Sequence, residues 1–146
     1  MTQFISRILA ILMTIVSILM PAKPDNVEVT VKDMTTESAC ITFTCVNNTG
    51  RRMDRPEIKM IEKNVDGEWE EVQTGYFMTA IAYYVNPGFS CTESVELCNL
   101  DEDFNVIYTH LEPGVYRLTV KYGVLNIRED LQSGEASCIF TVTQAE

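Results

Sequence analysis

Five cysteines and a single histidine are the side chains of this sequence best suited to nucleophilic, redox or metal chemistry. They are Cys40, Cys45, Cys91, Cys98, Cys138 and His110. Zinc sites use Cys and His at short spacing, and cysteines of exported proteins form disulfides. An odd number of cysteines leaves at least one thiol outside any set of disulfides.

Neither catalysis nor a zinc site is indicated by the spacing of these residues. His110 lies in "YTHLEPG", where nothing marks a nucleophile or a residue that would orient the ring, and the sequence lacks a GxSxG motif. The pairs Cys40/Cys45 and Cys91/Cys98 are not spaced like zinc knuckles. The sequence therefore predicts a loop histidine, no catalytic residue, no metal and no cofactor.

Three weaker patterns remain. The acidic stretch "LDEDFN", residues 100–105, resembles a calcium loop in composition but lacks the glycine and the ligand spacing, so a solvated loop is favoured. The motif "NNT" at residues 47–49 is formally a glycosylation acceptor. The aromatic residues with a potential ligand-binding role are Trp69, Tyr76, Phe77, Tyr83 and Tyr84, although Trp69 is expected to cover one face of a sheet.

The charge balance excludes two classes of partner. The chain has 11 Lys+Arg against 21 Asp+Glu, a net charge of −10 at pH 7. Such a surface repels phosphate backbones and anionic lipids. We therefore expect no nucleic-acid partner, and membrane contact only through the N-terminal segment.

That segment, residues 1–22, has the composition of a secretory signal. Arg7 is its only charged side chain, and residues 8–20 form an uncharged apolar run. The run is shorter than the roughly 20 residues that cross a bilayer. We expect export and cleavage after Ala22, with an uncleaved N-terminal anchor helix as the alternative, and a secreted or extracytoplasmic location.

Alternation of apolar and polar residues dominates the rest of the chain. It appears in "VEVTVKD", "ACITFTCV", "SVEL", "YRLTVKY" and "CIFTV", and it is typical of strands with one buried face. Asp66-Gly67 in "NVDGEW" predicts a hairpin, and further turns are expected at residues 86–88 and 112–114. Residues 99–110 and 123–135 are predicted to be the longest connections. One all-β domain is predicted over residues 25–146.

The stretch "LEPGVYRLTVKY" predicts a tyrosine corner. Leu111 would fill the core, Pro113 would stiffen the turn and Gly114 would provide the bend. The Tyr116 hydroxyl would then bond a backbone group upstream. Immunoglobulin-like sandwiches use this device where the chain changes sheets, so the predicted fold is an immunoglobulin-like β-sandwich of about seven antiparallel strands.

Several motifs, taken in order, resemble the bacterial immunoglobulin-like domain of exported Firmicutes proteins. They are "VEVTVKD", "ITFTCVNNTG", "IEKNVDGEWEEV" with Gly67 and Trp69, "TAIAYYVNPG", "LEPGVYRL" and "IFTVTQ". The resemblance covers nearly all of residues 27–143. It implies an exported sandwich and no catalytic residue. The five cysteines depart from the pattern, because such domains are mostly poor in cysteine.

The cysteine pairing depends on the strand register. If the strand at 39–46 runs antiparallel to the strand at 91–98, Cys45 approaches Cys91 on the inner face and Cys40 approaches Cys98 on the outer face. A regular ladder places only one of these pairs directly opposite, so at most one bridge is expected, with a slight preference for Cys40–Cys98. Cys45 could instead meet Cys138 across the core, and five reduced thiols are an equal alternative.

The function expected from these features is an exported, non-catalytic module. It would act through contact with an unknown protein partner at the cell envelope or as a structural spacer. A calcium- or small-ligand-binding sandwich and an enzyme of unrecognised type are the alternatives.

Overall fold

The structure, a computed structural model, describes residues 27–78, 81–125 and 130–145. Twelve strands form within these ranges. They are β1 Val27–Val31, β2 Met34–Thr35, β3 Cys40–Asn47, β4 Met53–Asp54, β5 Glu57–Val65, β6 Glu68–Glu71, β7 Gly75–Phe77, β8 Tyr84–Val85, β9 Ser90–Leu100, β10 Val106–Tyr108, β11 Gly114–Leu125 and β12 Leu131–Thr143. In the described ranges no helix is long and apolar enough to cross a membrane. The signal or anchor predicted for residues 1–22 lies outside them.

The strands form two sheets. In the first, β1, β3 and β9 are neighbours, β10 follows on β9, and β7 pairs with β9 as well. In the second, β12 and β11 form the longest pair, β5 and β6 continue from β11, and β4 and β8 extend the sheet past the end of β5. The prediction of an all-β sandwich is confirmed.

The strand count and the pairing depart from the prediction in two details. Seven strands have four residues or more and match the expected number, while five short ones were not expected. One pair is parallel, since β2 runs alongside the end of β12. Segments of two or three residues are too short to show a hydrophobic period, so these strands could not be predicted from the sequence.

Both of the regions predicted to be long connections contain strand. Residues 99–100 complete β9, and residues 106–108 form β10. The β11–β12 ladder continues out to the pair Leu125–Leu131. The second region therefore extends a hairpin, because backbone pairing continues there although the side chains do not alternate cleanly.

The core lies between the sheets and follows the predicted alternation. Ile41, Phe43 and Cys45 of β3 belong to one core cluster with Leu118 and Val120 of β11, and all are almost fully buried. Burying side chains of this size contributes about 1.5–3 kcal/mol each. This inner row also decides which polar residues become buried, because any polar residue in phase with it must enter the core.

The β5–β6 hairpin turns at Asp66-Gly67, as predicted. Both residues adopt positive φ, 52° and 95° respectively, which is the conformation of a two-residue type I′ turn. The Gly67 amide donates to the side chain of Asn64 at 3.1 Å. The hairpin brings Trp69 back over the second sheet.

Candidate functional site

The stretch that suggested a tyrosine corner has the geometry of one. The Tyr116 hydroxyl donates to the Glu112 carbonyl at 2.8 Å, and the ring is 1% exposed. Leu111 is buried beneath the turn, and Pro113 and Gly114 lead into β11. The Tyr116 ring also stacks on Phe140 with centroids 5.5 Å apart. These residues fix the connection between the sheets and have a structural role.

Trp69 covers an ion pair on the outer face of the second sheet. Its ring lies 4.6 Å from the Arg117 guanidinium carbon, a cation–π contact. Arg117 in turn donates two hydrogen bonds to Glu62, at 2.6 and 2.7 Å. The half-buried Trp69 therefore covers one sheet face, as its position after the hairpin suggested.

The other candidates singled out in the sequence do not come together. His110 is exposed in the connection before the corner. The carboxylate of Asp101 accepts hydrogen bonds from the Asp103 amide and from the amide and side chain of Asn105, all between 2.8 and 3.0 Å. Over the described ranges, His, Cys, Asp and Glu side chains form no group of three or more that could hold a metal ion.

An unexpected ionic cluster lies between the two sheets. Glu93 occupies the inward row of β9 beside Val95 and is only 8% exposed. Arg55, between β4 and β5 of the other sheet, donates to both carboxylate oxygens at 3.0 and 2.5 Å. The Tyr83 hydroxyl also donates to Glu93. Burial opposes ionisation of Glu93, but the bonds from Arg55 and Tyr83 outweigh it and lower its pKa.

Two cysteines lie next to this cluster, and their register corrects the expected pairing. Cys45 of β3 is directly opposite Cys91 of β9, whereas Cys40 is opposite Glu96. The preference for a Cys40–Cys98 bridge was therefore wrong. Cys98 keeps its predicted outward phase, since its neighbour Leu97 belongs to the core. It is nevertheless only 3% exposed, at the point where β7 and β10 flank β9.

Cys45 and Cys91 face each other across the ladder, and all five cysteines are present as thiols. The neighbouring Cys45 thiol lowers the pKa of Cys91 to about 7, from an ordinary 9.0, despite partial burial. The proximity of Cys91, together with complete burial, raises the pKa of Cys45. Cys138 packs against the core from β12 and is close enough to Cys45 to disfavour its ionisation further.

The potential glycosylation acceptor is also in the interior. Asn47 is 0% exposed, and its amide nitrogen donates to the carbonyls of Arg51 and Val85 at 2.7 and 2.8 Å. Its side-chain oxygen accepts from the amide and hydroxyl of Thr49, at 3.1 and 2.6 Å. Asn47 is thus a structural linker of three segments, and its side chain is inaccessible to modification.

A different feature is exposed at one end of the first sheet. We call the segment Leu100–Tyr108 the apolar hairpin. Its exposed apolar side chains are Leu100 (54%), Phe104 (81%), Val106 (44%), Ile107 (53%) and Tyr108 (52%). The loop of the hairpin is ordered by the hydrogen bonds of Asp101 and holds Phe104 at a positive φ of 62°. A non-glycine residue in this conformation is uncommon and is often maintained for function.

Sequence reasoning overlooked this surface because it treated residues 100–105 as an acidic loop. The signal available was the density of large apolar residues among the acids of "LDEDFNVIY". Strand β7 adds two exposed aromatic rings nearby, Tyr76 and Phe77. They are opposite Leu97 and Glu96 of β9.

Comparison with known proteins identifies a family and finds similar solved structures. The family model for the bacterial Ig-like domain matches residues 23–135 and confirms the domain type inferred by resemblance. The ASH/PapD-like domain 7 of human CEP192 is similar in structure, with a TM-score of 0.45 and 10% sequence identity, over 87% of this chain and 91% of that one. No curated protein sequence matches the chain.

Proposed function

The chain belongs to the bacterial Ig-like domain family, and from this premise we propose an exported, non-catalytic module that binds a protein partner at the cell envelope. The apolar hairpin is the proposed docking surface. Since one fold hosts many functions, the proposal depends on this surface and not on the fold.

The observation that carries the proposal is the exposure of five large apolar side chains within nine consecutive residues of a strongly acidic chain. Leu100, Val106 and Tyr108 share one face of the β9–β10 ladder, and Ile107 lies on the other. Large exposed apolar surfaces on soluble domains mark interaction sites. Phe104 is the most exposed of the five, and the Asp101 hydrogen bonds order its loop before binding. A rigid aromatic anchor of this kind loses little conformational entropy on binding.

The hairpin also defines the chemistry of the partner. Asp101, Glu102 and Asp103 place negative charge in the loop of the hairpin. Strand β10 bonds β9 on one edge, and its other edge pairs with no strand that the structure describes. The expected partner therefore has an apolar groove or strand edge bordered by Lys or Arg.

Export of the module is supported by residues 1–22, where Arg7 precedes an uncharged apolar run. Measurement of the intact mass of the protein recovered from the medium or the envelope tests this point. We expect the mass of a chain that begins after Ala22. A mass that includes residues 1–22 would leave the anchored form.

Photo-crosslinking tests the docking surface directly. A photoreactive phenylalanine analogue replaces Phe104 or Ile107 in the natural host, and Ile139 of β12, an apolar side chain 66% exposed on the other sheet, is the control position. We expect one protein to be crosslinked from both hairpin positions and not from residue 139, with a yield that falls as salt is added.

Equal crosslinking from the control position would show that the contact is not specific to the hairpin. If the protein reaches the envelope but forms no crosslink from either hairpin position, the result favours the spacer function instead.

A further inference from the structure

Cys45 and Cys91 are directly opposite each other on neighbouring strands, with a Cα separation in the range of a disulfide. The Asn47 amide donates to the Phe89 carbonyl at 2.9 Å, and one step of two residues along the same ladder leads to Cys45 and Cys91. They are therefore a hydrogen-bonded antiparallel pair, whose Cα atoms lie about 5.5 Å apart. Disulfides span Cα separations of about 4.4–6.8 Å.

The two thiols differ in their accessibility to solvent and reagents. Cys45 is 0% exposed, whereas Cys91 is half-buried and open on one side to solvent. Cys45 lies directly opposite Cys91 on the neighbouring strand, and its thiol favours the ionised form of Cys91. The thiolate is the nucleophilic form of a cysteine. Cys91 is thus the accessible nucleophile, and Cys45 is the protected second thiol.

We propose that Cys45 and Cys91 form a thiol–disulfide exchange site, in which Cys91 attacks an external disulfide and Cys45 resolves the product. The co-reactant is a low-molecular-weight disulfide, R–S–S–R, or the disulfide of an oxidoreductase. This inference does not depend on the apolar hairpin or on its partner.

The reaction has two displacements. Cys91 loses its proton to water, its thiolate attacks one sulfur of R–S–S–R, and the S–S bond breaks to release RS⁻, which takes up a proton. Cys45 then loses its proton and attacks the Cys91 sulfur of the mixed disulfide, releasing the second RS⁻. Two electrons pass from the protein thiols to the external disulfide, which leaves as two RSH.

The resulting bond ties β3 to β9 within one sheet. It closes the long stretch of chain between residues 45 and 91, and bridges across long loops restrict the unfolded chain most. We expect the oxidised protein to melt about 5–10 °C above the reduced protein.

The test uses the reduced full-length chain with bis(2-hydroxyethyl) disulfide, a neutral probe that the acidic surface does not repel. In the wild type we expect peptide mapping to find Cys45 joined to Cys91, with an intact mass lower by two hydrogen atoms. In Cys45→Ala we expect a stable mixed disulfide on Cys91. In Cys91→Ala we expect the reaction at residue 45 to be at least about tenfold slower, because Cys45 is buried.

Cys138→Ala is the matched control, since Cys138 is also half-buried but has no partner across its own ladder, where it is opposite Leu118. It should leave the Cys45–Cys91 bond and its rate unchanged. If an alanine variant misfolds by circular dichroism, an acid-quenched time course of the wild type decides the order of attack, and we expect the first adduct on Cys91. A first adduct on Cys45, or a bridge from either residue to Cys138, would overturn the proposal.

Discussion

Arg55 and Glu93 join the two sheets through two hydrogen bonds in the interior of the sandwich. The Nε–Oε1 and Nη2–Oε2 distances are 3.0 and 2.5 Å, and the side chains are 11% and 9% exposed. A bidentate arrangement fixes the orientation of both groups. The pair therefore sets the relation of the first sheet to the β4–β5 segment of the second at this point.

Breaking this pair should be costly. Glu93→Gln leaves the Arg55 charge buried without its carboxylate, so we expect a loss of about 3 kcal/mol in the free energy of unfolding. The double variant Arg55→Met/Glu93→Leu should lose less than the sum of the single changes, because it leaves no charge behind. Urea unfolding of the four proteins measures this coupling.

Glu135→Gln is the matched control for an exposed pair. Glu135 bonds Lys59 at 2.7 Å, but the two side chains are 53% and 44% exposed. We expect a change below about 0.5 kcal/mol there. Equal losses at Glu93 and Glu135 would contradict an interior role for Arg55–Glu93.

The same pair predicts a loss of stability in acid. Burial opposes the charge of Glu93, but Arg55 and Tyr83 lower its pKa below the ordinary 4.5. A carboxyl whose pKa is lower in the folded state stabilises the fold fully above about pH 4.5, and this contribution is lost as the pH falls through the folded-state pKa. Asp54 acts in the opposite sense, because burial raises its pKa.

Urea midpoints between pH 7 and pH 3 test this prediction. We expect the wild type to lose stability more steeply than Glu93→Gln, whose side chain does not titrate. Identical slopes for the two proteins would show that Glu93 is not held ionised in the fold.

The tyrosine corner should contribute a modest, measurable stability. Tyr116→Phe keeps the buried ring and removes only the bond to the Glu112 carbonyl, so we expect a loss of about 1 kcal/mol with the fold retained. Tyr108→Phe, at a 52% exposed site, is the control. An unchanged urea midpoint for Tyr116→Phe would mean that the hydroxyl bond adds nothing.

The strands, the hairpin turn and the tyrosine corner could be predicted from the sequence because each has a local sequence signal. Alternation predicted that Ile41 and Phe43 face inward, and Asp66-Gly67 predicted the hairpin. The cysteine register was not accessible. Sliding one strand by two residues keeps every side chain on its face, so alternation cannot distinguish a ladder that opposes Cys45 to Cys91 from one that opposes Cys40 to Cys98.

The buried polar residues show a second limit of prediction from the sequence. Glu93 and Asn47 both occur in phase with inward apolar residues, Glu93 with Val95 and Asn47 with Cys45. That phase indicates burial and hence a need for partners. It does not identify Arg55 or Val85, because those partners come from the other sheet. The three-residue strand β10 had no detectable signal, since all of its side chains are exposed.

Asn47 should be among the most sensitive polar positions. Asn47→Ala removes four hydrogen bonds that link β3 to Arg51, Val85 and Thr49, all in buried or half-buried surroundings. We expect the free energy of unfolding to fall by about 2–4 kcal/mol. Asn48→Ala, at the exposed neighbouring position, should change it by less than about 0.5 kcal/mol. Similar effects at both positions would contradict the assigned role of Asn47.

Cys91 should react with thiol reagents at lower pH than an ordinary cysteine. The neighbouring Cys45 thiol lowers the pKa of Cys91 to about 7, while burial and the Glu93 carboxylate oppose this shift. The rate of alkylation by neutral iodoacetamide follows the thiolate fraction. We therefore expect half-maximal rate near pH 7 at Cys91, measured residue by residue by mass spectrometry.

Cys138 is the internal reference in the same experiment. It is also half-buried, but burial raises its pKa above the ordinary 9.0, so its rate should still be rising at pH 9. Cys45→Ala removes the largest influence on Cys91 and should move its profile upward toward pH 9. Two results would contradict this prediction: a pH profile of Cys91 that coincides with that of Cys138, or one that Cys45→Ala does not change. Either would show that Cys45 does not lower the pKa of Cys91 and that Cys91 is not the activated thiol.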